Sequence, residues 1–189
     1  MLLFCLISFW VHRSSLAQIA GKNMFSLALL ACLLGDILLM FNKPEGLFYA
    51  GMGAFGLAHI FFFFYYLNQS QKGLNRGGMT LGLVFTIICC SILYFYYPLQ
   101  GILSIAVFAY AFLFGLHLSW SAGVALAQKG GYLLSLLGAV LFMLSDMLLL
   151  YFKLHDFTDV WYHIVVMLTY GSGVYLITTG AVKQETGAL

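Results

Sequence analysis

The sequence predicts an all-α, polytopic transmembrane helical bundle, and three observations predict it. Of the 189 residues, 63% are hydrophobic and 7% charged, where a typical soluble domain has about 45–50% and about 25%. Mean hydropathy is +1.00. The apolar residues form long continuous runs separated by short polar breaks, unlike the alternating strands of a membrane β-barrel. These values exclude a soluble domain, a disordered tail and a nucleic-acid binder. Eight Lys+Arg against six Asp+Glu leave a net charge of +2, too little for a polybasic membrane-surface protein.

Seven segments are expected within one integral-membrane domain spanning 1–189, at about 1–12, 24–41, 46–67, 79–97, 100–121, 131–152 and 160–181. The first is anomalous. Met1 to Val11 covers about 17 Å at 1.5 Å per residue, short of a ~30 Å hydrocarbon core. It has neither a basic n-region nor a small-residue cleavage site, and it reads as the second half of a helix that starts earlier. The second segment is closed by Asn42-Lys43-Pro44-Glu45-Gly46. The third opens with Gly51, Gly53 and Gly56, which read as helix-contact positions, and ends in the polar stretch from Asn68 to Gly78. The fourth stops at Pro98. The fifth ends before Gln128-Lys129-Gly130-Gly131, the sixth before the loop from Lys153 to Asp159. The seventh starts with Trp161, Tyr162 and His163, as an interfacial aromatic belt does. Short connections make successive helices antiparallel.

Lys and Arg counts orient the bundle. Arg13, Lys22, Lys72, Arg76, Lys129 and Lys183 fall on one side, and Lys43 and Lys153 on the other. Cationic loops stay in the cytoplasm, which places the C-terminus there. A bacterial inner membrane is expected ahead of an endoplasmic reticulum, although the charge count does not choose between them. The four cysteines, Cys5, Cys32, Cys89 and Cys90, all sit in apolar runs without a CxxC. They read as small apolar fillers rather than disulfides or metal ligands.

An internal echo links the second and sixth segments. Leu34-Gly35-Asp36 and Leu144-Ser145-Asp146 each place a small residue before an Asp, followed by an apolar run with an aromatic residue five positions on, Phe41 and Tyr151. Both segments run the same way, which suggests a parallel four-helix repeat and, with the short first segment, eight helices in all.

Asp36 and Asp146 are the acidic residues well inside apolar segments; Glu45, Asp156, Asp159 and Glu185 lie in loops or the tail. An intramembrane carboxylate is costly and faces the bundle interior or a wet cavity. A lone one serves equally as interhelical hydrogen-bond glue. Two at matched depth could share one proton and so supply an acid and a base together.

Other polar groups can be ranked by depth from the outer helix ends. His59 lies about 20 Å down, Tyr110 and Tyr170 about 15 Å, and the two Asp about 8 Å, at 1.5 Å per residue. They are candidate lining groups for an amphiphile's head group or water, although tyrosines also pack ordinarily and a histidine can be a satisfied core residue. A zinc site built on His59, His117 and His163 is disfavoured. Their depths of about 20, 26 and 5 Å do not bring three nitrogens to ~2.0–2.1 Å from one ion. No GxSxG elbow surrounds Ser119, Ser121 or Ser145, and no phosphate-binding glycine loop occurs.

On these residues the chain resembles the YhhN family of integral-membrane lysoplasmalogenases. The resemblance rests on Leu34-Gly35-Asp36, Gly53-Ala54-Phe55 through His59, Gly138-Ala139-Val140-Leu141-Phe142 through Ser145-Asp146, and Tyr170. It covers about residues 24 to 180. Phe62 stands where the family often has Tyr, and Gly173 where a Gln is expected. The resemblance implies hydrolysis of the vinyl ether of a lysoplasmalogen to a fatty aldehyde and a glycerophospho-base. It implies Asp36 and Asp146 as the acid and base, with His59, Tyr110 and Tyr170 toward substrate. The implied partners are a vinyl-ether lysophospholipid, water and the bilayer. No metal or organic cofactor is implied.

The competing reading is a small proton-coupled transporter, which also uses intramembrane carboxylates; no helix here shows the Pro/Gly break of a midplane carrier site. A retinal protein is excluded because residues 160–181 hold no Schiff-base Lys. A receptor or scaffold gives no reason for two buried acids.

Overall fold

The structure, a computed structural model, describes residues 21–41, 45–96, 102–155 and 159–186. The expected segment at 1–12, with Cys5, lies outside them, as do Lys43, Pro44 and Pro98. The described residues form α1 (Lys22–Met40), α2 (Glu45–Gln69), a short 3-10 turn (Ser70–Lys72), α3 (Arg76–Tyr96), α4 (Ile102–Gln128), α5 (Gly131–Leu154) and α6 (Val160–Thr186), and no strand. Five stretches are long and apolar enough to cross a membrane: Lys22–Met40, Gly46–Lys72, Val107–Gln128, Gly131–Lys153 and Val160–Gln184. The apolar stretch of α3, Arg76–Ile92, is shorter. Leu81, Leu83, Ile87, Ile88, Ile92 and Phe95 of α3 are nonetheless exposed. A soluble monomer rarely shows so continuous an apolar face, whereas a helix bathed in lipid does.

Two compact units make up the chain, divided between Gln128 and Lys129. In the first, α2 packs against both α1 and α4, and α3 packs against α4. The buried side of α2 reads Gly51, Ala54, Phe55, Ala58, His59, Phe62, Tyr65, Tyr66 and Gln69. That is the three- and four-residue spacing that keeps one helix face turned inward. Phe25 of α1 packs edge-on against Phe62 and Tyr65, with ring centroids 5.5 and 4.9 Å apart. α3 and α4 approach through small residues. A Cβ on Gly82 would lie 2.7 Å from Ser119 Cα, and one on Gly115 2.7 Å from Thr86 Cγ2. Without a hydrophobic drive between helices in lipid, such close backbone contact supplies the dispersion attraction that holds them. The polar ends are tied as well. Gln128 Nε2 donates to the carbonyl oxygens of Gln69 and Gly73, at 2.9 and 3.0 Å.

The second unit, in its described residues, is the antiparallel pair α5 and α6. Gly131 sits against the Gly180 carbonyl, and a Cβ on Gly138 would lie 2.5 Å from the carbonyl oxygen of Gly173. Ser135 donates its hydroxyl to the Ile177 carbonyl at 3.1 Å, and Gln184 Oε1 accepts from the Gly131 amide at 2.9 Å. Helix α4 runs to Gln128 rather than stopping near 121. Ser121 to Ala125 are all buried, so the helix continues until Lys129 and Gly130 take positive φ of 56° and 57°.

Candidate functional site

Each expected site residue can be placed on its own helix. Asp146 follows the buried stripe of α5 formed by Ala139, Phe142 and Met143, continues it toward Leu150, and is itself buried. It is immediately preceded by Ser145, whose hydroxyl donates to the Val166 carbonyl of α6 at 3.1 Å. Tyr170 of α6 is buried, and its ring meets Phe142 edge-on at 5.3 Å, one turn before Asp146. Asp36 is half-buried on α1 and extends the stripe of Leu29 and Cys32. It follows Gly35, where an added Cβ would meet the Phe55 ring of α2 at 2.9 Å. In both helices the residue before the Asp is therefore small because it lies against the next helix. Asp36 belongs to the first unit and Asp146 to the second.

The polar centre of the first unit is a histidine pair. His59 Nδ1 and His117 Nδ1 lie 2.9 Å apart, with the two residues 0% and 1% exposed. His59 meets Tyr110 edge-on at 5.7 Å, so those two candidate lining residues do come together. His117 is stacked with Phe62, at 5.1 Å and 17°, and with Tyr66, at 5.7 Å and 20°. Its Nε2 is buried without a hydrogen-bond partner among the described residues.

This corrects the depth ranking, which set His59 and His117 about 6 Å apart along the membrane normal. Contacts between α2 and α4 keep a nearly constant sequence offset, 58 for His59 with His117 and 59 for the Gln69 carbonyl with Gln128. The two helices are thus parallel and in register, and this register, not the distance from helix ends, sets which side chains meet. Sequence depth alone offers His117 only as a disfavoured zinc ligand. The usable signal was its position on a helix two along from that of His59, hence running the same way. Among the described residues no group of three or more His, Cys, Asp and Glu could hold a metal ion.

The YhhN family profile matches residues 1–181 of the chain. The chain belongs to the YhhN family. No curated protein and no solved structure matches it. Phe62 and Gly173 each have a defined packing setting. Phe62 is fully buried and stacked with the His117 ring. At Gly173 an added Cβ would lie 2.8 Å from Phe142 N and 2.9 Å from the Gly138 carbonyl oxygen. A larger side chain there would force α5 and α6 apart.

Proposed function

We propose that this YhhN protein is a membrane hydrolase that cleaves the vinyl ether of lysoplasmalogens, with Asp36 and Asp146 as its acid and base. The observation that supports this most is Asp146, a carboxylic acid buried in the inward stripe of an apolar helix beside a serine pinned to the neighbouring helix. A charged group at such a site is costly and marks function. Asp36 occupies the corresponding place on α1, after a residue packed against the following helix. That likeness favours the two Asp-bearing hairpins being repeats of one design.

The chemistry fits two carboxyls. One protonates the vinylic carbon β to the ether oxygen, which leaves an oxocarbenium ion. The other, as carboxylate, stabilises the cation and takes a proton from water as it attacks. The hemiacetal then collapses to a fatty aldehyde and the glycerol hydroxyl, so one water is consumed. Glycosidases meet the same cation with the same two groups. His59, Tyr110 and Tyr170 are assigned to holding the substrate. The partners are a vinyl-ether lysophospholipid, water and the bilayer, and the C-terminus is assigned to the cytoplasm.

The deciding assay is aldehyde release from detergent-solubilised protein given a lysoplasmalogen, with an acyl lysophospholipid as control. Release from the vinyl ether alone is expected. A folded protein inactive on it would overturn the proposal and favour the proton-coupled carrier.

A further inference from the structure

We infer that His59 and His117 act as a single proton-transfer pair, with a buried water held on His117 Nε2, and that His117 serves the reaction through His59. The inference rests on the hydrolase reading for the reaction it serves. Two Nδ1 atoms 2.9 Å apart can hydrogen-bond only if one carries the hydrogen and the other a lone pair. In the neutral pair one ring is then the Nδ1–H tautomer and the other the Nε2–H tautomer. Their outer nitrogens are opposite in kind, one an acceptor and one a donor.

This arrangement passes a proton without leaving a charge on either ring. Start with the bridging hydrogen on His59 Nδ1. A proton released by the attacking water and accepted at His59 Nε2 pushes the bridging hydrogen to His117 Nδ1, and the hydrogen on His117 Nε2 passes to the water held there, which gives up one of its own. Both rings end neutral with their tautomers exchanged, and the next transfer runs in reverse. The burial of both residues, 0% and 1% exposed, makes an isolated charge on either ring costly, so concerted transfer is the accessible route.

Two further observations support it. The His117 ring is stacked with Phe62 and with Tyr66 at interplanar angles of 17° and 20°, which fixes its plane, and the Nδ1 contact with His59 fixes how the ring is turned within that plane and so the direction of Nε2. That nitrogen is buried without a partner among the described residues. Buried polar atoms are nearly always satisfied by protein or ordered water, so a water at Nε2 completes the pair and receives or returns the proton. His117 is a positioning residue in this scheme, since it reaches the substrate only through His59, whose ring meets Tyr110.

The test combines a spectrum with kinetics. Protein labelled with 15N-histidine in lipid nanodiscs, compared with His59→Gln and His117→Asn to assign signals, should show one ring of each tautomer at these two positions. His117→Asn keeps a hydrogen-bonding group at the Nδ1 place but cannot relay a proton. It should lower kcat for aldehyde release by about 10²-fold, the low end for general acid–base work, with KM little changed and the solvent deuterium effect on kcat altered. His117→Phe, which keeps the stacking, should match it. Identical tautomers on the two rings, or a folded His117→Asn protein with wild-type kcat and isotope effect, would overturn the inference. Complementary tautomers in a wild-type protein that releases no aldehyde would uphold the pairing and overturn the hydrolase reading instead.

Discussion

Ser145 donates its hydroxyl to the carbonyl oxygen of Val166 at 3.1 Å, and this bond joins α5 to α6 one residue before Asp146. The serine is therefore a spacer as well as a donor: it lets the helices approach while fixing the rotation that turns Asp146 inward. Ser145→Ala removes the bond and keeps the approach. Interhelical hydrogen bonds in membranes average about 0.6 kcal/mol, so its thermal unfolding in detergent should shift only slightly and aldehyde release should persist. Ser145→Leu must push the helices apart, and activity should fall while the protein still inserts. Equal activity in both variants would separate Asp146 from this contact.

The Gly138–Gly173 crossing carries a second expectation. An added Cβ on Gly173 would lie 2.8 Å from the Phe142 backbone nitrogen, and backbone cannot swing aside as a side chain does. Overpacking of this kind costs about 1–3 kcal/mol. Gly173→Ala should lower the midpoint of thermal unfolding, and Gly173→Gln, the side chain expected there for the family, should lower it further. Gly53, whose Cβ would meet nothing within 4 Å, is the control: Gly53→Ala should leave the midpoint unchanged or raise it, because alanine favours the helix by about 0.8–1.0 kcal/mol.

The membrane side of each loop can be read by labelling. The Lys and Arg imbalance assigns Lys72 to the cytoplasm and Lys43 to the opposite face. In a cysteine-free background, Lys72→Cys and Lys43→Cys should react with a membrane-impermeant maleimide from opposite sides of sealed vesicles. Reaction from the same side would overturn the orientation.

The helices were legible because continuous apolar runs and Gly, Pro or charged breaks carry them directly. The expected segments at 131–152 and 160–181 match α5 and α6 at their starts. The end of α4 was not legible. Ser119 and Ser121 look like a polar exit, yet both are buried, and Ala122 packs against Gly78. Nor was the packing of α2 on both α1 and α4, since lipid-facing and core-facing positions are equally apolar and periodicity weakens. The inward placement of Asp146 was legible from the cost of exposing a carboxylate to lipid. The contact of His59 with His117 was missed because a two-residue error in a helix end moves a depth by about 3 Å, and interhelical register is not written in either helix alone.

Asp36→Asn and Asp146→Asn carry the most direct test of the chemistry. Each keeps the size and hydrogen bonding of the side chain and removes the group that titrates. General acid–base catalysis contributes about 10²–10⁴-fold, so each variant should lose at least that order in kcat for aldehyde release. The double variant should lose little more than the worse single one, because groups that act on one transition state are not additive. Thermal unfolding should separate this from misfolding: Asn at position 146 is less costly to bury than a carboxylate, so its midpoint should hold or rise as activity falls. His59→Ala should cost less than either, since it is assigned to holding the substrate and to the histidine pair rather than to protonating the vinyl ether. Folded Asn variants that keep full aldehyde release would remove both carboxyls from the mechanism.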